Sequence, residues 1–244
     1  DEIMTKLSDK DLARLLVGTL YMGPTHNTAF GAAGSSTSAL LDKGIDNMVM
    51  ADGPQGLNLR LCAPAPKQNF WTPQGMPESV TMGRKNLLSR IMNPPPRKNG
   101  DNYYHFCTAF PCQTLVAQSW NLPLAKELVE AIAEEMVEYG VAFWLAPAMN
   151  IHRSAFSGRN FEYYSEDGFL AGEMGGIEVK GILSKGVDVV MKHFALNDTE
   201  QNRLGQAAWL TEQAAREIYL KAFEIAVKDG KTNGIMSAFN NIGD

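Results

Sequence analysis

An apolar, β-branched run that ends abruptly in two adjacent polar residues restricts the fold of this chain more than any other feature. The run occupies residues 187–194, and Lys192 and His193 stand near its end. Buried parallel strands read as continuous apolar runs, and lysine is almost never fully buried unless it is paired. In α/β folds, ligand sites are built at the carboxyl ends of such strands. We therefore expect a strand whose end lines a polar cavity.

Predicted helices and strands alternate along the second half of the chain. The helices cover 124–139, 168–185 and 211–228, and the strands cover 141–145, 187–191 and 234–238. Glycines follow the helices at short turns. Alternation of this kind indicates βαβ units and a parallel sheet. It predicts an α/β fold, a (β/α) TIM-type barrel that is incomplete, with about five of the usual eight strands.

The first half of the chain is less regular. A helix is predicted over 8–17, with Ser8 as its cap and an apolar stripe of leucines, followed by a loop over 18–38 and a strand over 48–51. Residues 61–106 contain seven prolines and clustered aromatic residues. This insertion is interpreted either as a disordered segment or as a loop that shapes a substrate site.

Composition excludes several classes of function. The net charge of −5 argues against nucleic-acid or anionic-membrane binding, and no apolar run approaches the roughly 20 residues of a membrane-spanning helix. The three cysteines have no zinc-type spacing, so free thiols are expected. With no visible signal peptide, they favour a cytoplasmic location. No metal motif, Walker sequence or Gly-x-Gly-x-x-Gly turn is present, so no metal or cofactor is expected.

Polar residues follow each predicted strand. They are Asp52 after the first, Asn150, His152, Arg153 and Arg159 after the third, Lys192 and His193 after the fourth, and Ser237 and Asn240 after the fifth. Carboxylates accept hydrogen bonds from neighbouring hydroxyls, and cationic groups donate to hydroxyl oxygens. A set of this kind suits a ligand with many hydroxyl groups.

Each of these residues also has a structural explanation. Asp52 suits a turn, the Lys192–His193 pair could lie on the surface, and Arg159 could pair with Glu162 or Glu166. Glu200 and Arg203 have the spacing of a helix-surface pair. His152 is interpreted as structural, and His26 and His105 are given no role.

Six segments together resemble the family 3 glycoside hydrolases, in particular their β-glucosidase branch. They are 52–56 (Asp-Gly-Pro-Gln-Gly), 108–111 with 119–121, 158–167 (Gly-Arg-Asn-Phe-Glu-Tyr-Tyr-Ser-Glu-Asp), 192–194 (Lys-His-Phe) with Asn197, Glu200, Asn202 and Arg203, 216–220, and 235–240. They occur in the family's order and cover nearly the whole chain outside 61–106. Residues 1–244 are thus identified as the N-terminal part of a barrel glycosidase domain.

The resemblance implies a retaining hydrolase that removes terminal β-D-glucosyl residues. It implies that this chain holds the terminal sugar in the −1 subsite. Asp52 would bind two sugar hydroxyls, and Arg159, Lys192 and His193 would supply further hydrogen bonds. Met236 and Phe239 would stand near the sugar.

The chain departs from the family pattern in three ways. Phe239 stands where the family often has tyrosine, and the insertion at 61–106 is long. The nucleophilic aspartate and the acid/base glutamate are expected beyond Asp244, so the 244-residue chain alone should be inactive. We expect it to need the remainder of its polypeptide, or a second chain, to complete the barrel. The alternatives are a non-catalytic sugar-binding module and a β-xylosidase or β-N-acetylglucosaminidase of the same family.

Overall fold

The computed structural model describes residues 3–18, 29–65 and 95–243. The chain divides into two compact units. The first unit comprises Asp1–Asp52, Asn58–Cys107 and Glu138–Ala142, and the second comprises Gly53–Leu57, Thr108–Val137 and Phe143–Asp244. Within the described ranges, no helix has the length and apolarity to cross a membrane.

Helix α1 of the first unit begins as its sequence predicts. It spans Asp9–Leu15, and the Ser8 side chain and Asp11 form a capping box. The predicted leucine stripe is wrong, because Leu15 and Leu16 are 36% and 89% exposed. Asp11 is the buried residue of this helix, since its carboxylate accepts hydrogen bonds from Ser8 and from the Lys43 ammonium. These hydrogen bonds hold the pKa of Asp11 well below its usual range.

Two antiparallel strand pairs lie in the described part of the first unit. Strand β1 (Gly34–Ser35) pairs with β2 (Val49–Asp52), so β2 confirms the strand predicted over 48–51, whereas β1 lies in a predicted loop. Strands β3 (Cys62–Pro64) and β4 (Asn102–Tyr104) pair inside the segment predicted to be irregular. Phe70, Trp71 and the rest of 66–94 lie outside the described residues, and a substrate-shaping role of the insertion stays a prediction.

The second unit has an α/β fold, as the alternating pattern predicts. Its parallel strands are β5 (Phe143–Leu145), β6 (Asp188–Phe194) and β8 (Gly234–Ser237). A second parallel pair is formed by β7 (Ala207–Ala208) and β9 (Asn241–Ile242). The helices are α2 (Gln113–Gln118), α3 (Leu122–Tyr139) and α4 (Gly168–Leu183). Closure of the strands into a barrel stays a prediction.

The helix predicted over 211–228 is irregular in the structure. Thr211 caps it as predicted, its side chain accepting from the Ala214 N–H. It then consists of α5 (Glu212–Ala214), a π-helical turn, α6 (Leu220–Ile225) and a second π-helical turn that ends at Gly230. The extra residue of each π-turn shifts the helix face, so Val227 is 41% exposed although its spacing predicts burial.

The core of the second unit lies between α4, α6 and the parallel strands. Its buried members include Met149, Tyr164, Met174, Met191 and Phe223. Among the described residues, three peptide bonds are cis, namely Ala146–Pro147, Lys192–His193 and Phe194–Ala195. Two of them belong to β6, which continues through the polar residues to Phe194 rather than ending at Met191.

Candidate functional site

Five charged side chains form a connected group in the second unit, which we call the polar cluster. Its members are Arg159, Glu162, Lys192, Glu200 and Arg203. They come from the segments that follow β5 and from β6 and its following loop. Three cations and two carboxylates leave the cluster with one net positive charge, which suits an electron-rich ligand.

Glu162 lies at the buried end of the polar cluster, between two cations. Its Oε1 accepts a hydrogen bond from Arg159 Nε, and its Oε2 lies 3.5 Å from Lys192 Nζ. The side chains of Glu162 and Lys192 are each 4% exposed. Charges this deep are retained only when they are paired and hydrogen-bonded. Burial lowers the pKa of Arg159, but the hydrogen bond to Glu162 and the charges of Glu162 and Glu200 together raise it above its usual value.

Glu200 pairs the two arginines at the more exposed end of the polar cluster. Its Oε2 lies 2.8 Å from Arg203 Nη1, and its Oε1 lies 3.8 Å from Arg159 Nη1. The Asn197 amide donates to the same Oε1 at 3.1 Å. Asn197 is itself held by Tyr163, whose hydroxyl donates to the Asn197 carbonyl at 3.1 Å. The two glutamates therefore orient both arginines.

His193 is oriented by a buried asparagine beside the polar cluster. Asn150 Nδ2 donates to the His193 carbonyl at 3.0 Å, and Asn150 Oδ1 accepts from the His193 backbone N–H at 2.9 Å. These two bonds identify the oxygen of the amide. His193 Nδ1 lies 3.3 Å from that oxygen, so Nδ1 carries the ring proton and Nε2 is left as an acceptor.

The surroundings keep the His193 ring neutral. Burial, followed by the positive charges of Arg159, Lys192 and Arg203, lowers the pKa of His193 to about 2. The ring is therefore an acceptor rather than a proton donor over the ordinary pH range. His193 can hold a ligand hydroxyl through Nε2, but it is poorly placed to act as a general acid.

The structure brings together three of the six residues predicted to bind sugar, which are Arg159, Lys192 and His193. Phe239 joins them through Arg203, whose Cζ lies 5.3 Å from the Phe239 ring centroid. Met236 lies in β8 and is half-buried, and its place beside a sugar stays a prediction. Asp52 ends β2 in the first unit, so its role also stays a prediction.

These contacts test the structural explanations that the sequence offers for Arg159, for Lys192 with His193, and for His152. Arg159 pairs with Glu162, as one alternative predicts. The surface interpretation of Lys192 and His193 is wrong, since they are 3% and 6% exposed. His152 is structural, because its Nε2 lies 2.9 Å from the Asn160 carbonyl oxygen.

Arg203 and Asn150 are the residues whose roles were missed. Arg203 does pair with Glu200, but in a turn rather than on a helix, and it belongs to the polar cluster. The Glu200–Arg203 spacing was the available signal, whereas nothing local in the sequence links Asn150 to His193. Across the described ranges, no group of three or more His, Cys, Asp or Glu side chains could hold a metal ion.

Residues 100–244 match the model of the glycosyl hydrolase family 3 N terminal domain. The chain is 37% identical over 229 residues to beta-glucosidase A of Butyrivibrio fibrisolvens, which covers 94% of this chain and 22% of that protein. It is 39% identical over 175 residues to beta-glucosidase B of Emericella nidulans, covering 71% of this chain and 20% of the relative. The chain thus spans about a fifth of the length of these relatives.

Solved structures of beta-glucosidases are also similar to this chain. Beta-glucosidase 3B from Thermotoga neapolitana, in complex with α-D-glucose, matches with a TM-score of 0.78 and 38% identity. The match covers 99% of this chain and 29% of that one. A beta-glucosidase from Paenibacillus barengoltzii matches with a TM-score of 0.73 and 31% identity, over 99% of this chain and 22% of that one.

Proposed function

This chain belongs to glycoside hydrolase family 3, and we propose that it supplies the sugar-binding part of a β-glucosidase. The reaction would be the removal of terminal non-reducing β-D-glucosyl residues from β-glucosides. The named relatives are beta-glucosidases, and one solved relative is described in complex with glucose. The polar cluster is the part of this chain that would contact the sugar.

The pairing of Glu162 with Arg159 and Lys192 is the observation that carries the proposal. A carboxylate and an ammonium group that are each 4% exposed would be expensive in a purely structural role. Buried charges of this kind commonly mark functional sites. Here they fix two cationic donors next to the acceptor Nε2 of His193, a set that matches the paired donors and acceptors of vicinal hydroxyls.

Each side chain has a defined part in sugar binding. Arg159 and Lys192 would donate to sugar oxygens, and His193 Nε2 would accept from a hydroxyl. Asp52 would bind two further hydroxyls, as the family resemblance implies. Hydrogen bonds to the ring hydroxyls strengthen as the ring flattens toward an oxocarbenium-like transition state, so they can contribute to catalysis as well as to binding.

Bond cleavage would use carboxyl groups from outside the described site. A retaining mechanism needs a nucleophile and an acid/base group about 5–5.5 Å apart. We place both in the remainder of a longer polypeptide, because the chain spans only about a fifth of its relatives. The same remainder would close the parallel strands into a (β/α) barrel, and the 244-residue chain alone would be inactive.

The proposal is tested by measuring release of 4-nitrophenol from 4-nitrophenyl β-D-glucopyranoside. The protein used is the polypeptide as its gene encodes it. Lys192→Ala should lower kcat/KM at least ~100-fold, since it removes a charged hydrogen-bond donor from the sugar. Asp52→Ala should lower kcat/KM by a similar factor.

Two surface substitutions provide matched controls. Lys228→Ala removes an ammonium group that is 69% exposed, and Asp46→Ala removes an exposed carboxylate of the first unit; both should leave kcat/KM within about twofold. If the wild type is active and Lys192→Ala lowers kcat/KM no more than Lys228→Ala does, then Lys192 does not bind the sugar. A polypeptide that binds glucose but hydrolyses no glycoside would instead support the non-catalytic module.

A further inference from the structure

A pocket with a volume of about 300 Å³ lies in the second unit. The residues that matter in its lining are Arg153, Leu196, Asp198, Gln206, Trp209 and Tyr219. None of them belongs to the polar cluster. The volume is at the lower end of the range for small-molecule sites, about 300–1,000 Å³.

The pocket contains two charged groups with unused hydrogen-bonding capacity. Asp198 Oδ1 accepts from the Ile151 N–H at 3.1 Å, and within residues 3–18, 29–65 and 95–243 nothing donates to Oδ2. No hydrogen bond or ion pair joins the Arg153 guanidinium to any described residue. Its Cζ lies 5.9 Å from the Tyr219 ring centroid, which orients the group and leaves its N–H donors available.

Aromatic and apolar surface completes the pocket. Trp209 is 68% exposed although it lines a concave site, and Tyr219 is half-buried. Leu196 is buried and lies in the lining. An exposed indole offers a flat apolar face at a low cost in conformational entropy, and the C–H face of a sugar ring can pack on it.

We propose that this pocket binds a neutral sugar unit separately from the polar cluster. Its guanidinium and its carboxylate oppose each other in sign, so an anion is disfavoured by Asp198 and a cation by Arg153. A hydroxyl-rich neutral molecule can accept from Arg153 and donate to Asp198 at once. The Gln206 amide adds one more donor and acceptor. This site goes beyond the proposed function, because it requires no bond cleavage.

The Asp198 carboxyl group is ionised above about pH 6. Burial raises the pKa of Asp198 to about 6, while the Ile151 N–H and the positive charge of Arg153 act to lower that pKa. Above that pH the group is a pure acceptor, which is the state that binds hydroxyl donors. The loop 195–200 contributes to both sites, since Leu196 and Asp198 line the pocket while Glu200 belongs to the polar cluster and Asn197 donates to it.

Fluorine NMR of the polypeptide as its gene encodes it, labelled with 5-fluorotryptophan, tests this site. D-glucose is the probe, and the titration is run with and without Lys192→Ala, which weakens binding at the polar cluster. The Trp209 signal, identified by its loss in Trp209→Phe, should shift saturably with glucose. Asp198→Asn keeps the acceptor for the Ile151 N–H and should weaken this binding by about tenfold, because a charged acceptor becomes neutral.

Trp120 is the matched control, because it is 73% exposed and does not line the pocket. Its signal should stay fixed during the titration. A Trp209 signal that does not move, or moves no more than that of Trp120, would overturn the proposal. So would a shift that is abolished by Lys192→Ala, since it would report the polar cluster. A Trp209 signal insensitive to a soluble paramagnetic agent would show that the polypeptide itself fills the pocket, and would likewise overturn it.

Discussion

Two cations share the buried carboxylate of Glu162, so the geometry of the polar cluster depends on this one residue. Arg159 bonds to one oxygen and Lys192 lies 3.5 Å from the other. A single charge thus positions two donors that come from separate segments of the chain. Removing one partner of a buried ion pair lowers the free energy of unfolding more than replacing the whole pair by apolar residues does, because it leaves an uncompensated buried charge.

Replacement of Glu162 by glutamine should therefore damage both stability and activity. We expect Glu162→Gln to lower the free energy of unfolding by about 3–5 kcal/mol, measured by urea denaturation, and to lower kcat/KM. The control is Glu212→Gln, whose carboxylate pairs with Arg216 at the surface with 78% exposure. Its effect should stay within about 0–1 kcal/mol. Equal effects of the two variants would mean that Glu162 contributes no more to the free energy of unfolding than a surface glutamate does.

Glu178 is a second buried acid, placed away from the polar cluster. It is fully buried on α4 and accepts from the Tyr164 hydroxyl at 2.6 Å and from the Gln113 amide at 3.2 Å. Burial raises the pKa of Glu178 from 4.5 to about 8, against the effect of these two hydrogen bonds. The folded state thus keeps a proton that the unfolded state releases above about pH 4.5.

The sign of this linkage gives a pH-dependent prediction. The contribution of Glu178 to stability is highest below pH 4.5 and falls as the pH rises toward 8, by about 3 kcal/mol at pH 7. Glu178→Gln removes the titration and should raise Tm, with a gain that grows from pH 5 to pH 8 in thermal melts. Glu173→Gln, on the same helix and half-exposed, should show no such trend. A gain independent of pH would refute the protonated state.

At the scale of elements, glycines explain how α4 packs against the irregular helix that follows it. Gly168, Gly172 and Gly176 recur every four residues and so lie on one face of α4. A Cβ at Gly168 would lie 2.2 Å from the Ile218 carbonyl oxygen, and one at Gly172 would lie 2.7 Å from Ile225 Cδ1. Each glycine destabilises the helix by about 1 kcal/mol relative to alanine. The packing that the close approach of the two helices permits offsets this loss.

The first of these glycines should tolerate no side chain. Gly168→Ala places a methyl group against a backbone carbonyl that cannot rotate away, so we expect a loss of about 1–3 kcal/mol in the free energy of unfolding. Gly158→Ala is the control, because nothing lies within 4 Å of its Cβ position. A Gly168→Ala variant as stable as the control would show that α4 can move outward freely.

Elements with strong periodicity could be predicted from the sequence, whereas exact faces and ends could not. Helix α3 and strand β6 follow from their apolar spacing. The π-turns before and after α6 have no recognisable local signal in the sequence. The leucines of α1 show the same limit, since Asp11 is buried by its bonds to Ser8 and Lys43.

On the scale of the whole molecule, β8 is the exposed edge of the second unit's parallel sheet. Within the described residues its only strand neighbour is β6, and Ile235 in β8 is 49% exposed. A strand with unpaired backbone groups and an apolar side chain invites pairing with another chain. This edge is where a further strand of the proposed barrel would add.

The 244-residue chain expressed alone should therefore aggregate. We expect Ile235→Lys to reduce light scattering at equal protein concentration, because lysine on an edge strand opposes intermolecular pairing. Leu204→Lys introduces the same charge at a residue that is 76% exposed and lies in a turn, and it should have little effect. Equal reduction by both variants would assign the effect to net charge rather than to the edge.

The sequence by itself determined the α/β fold class and the family, and it predicted sugar-binding roles for Arg159, Lys192 and His193, which the structure places in or beside the polar cluster. Those conclusions rest on local spacing and on short motifs in a fixed order, and both can be read without knowing the contacts between distant parts of the chain. Only the tertiary structure showed that Lys192 is paired with Glu162, and that Asn150 sets the proton on His193. These contacts join residues 30 and 43 positions apart, so burial and pairing decide them rather than any pattern along the chain.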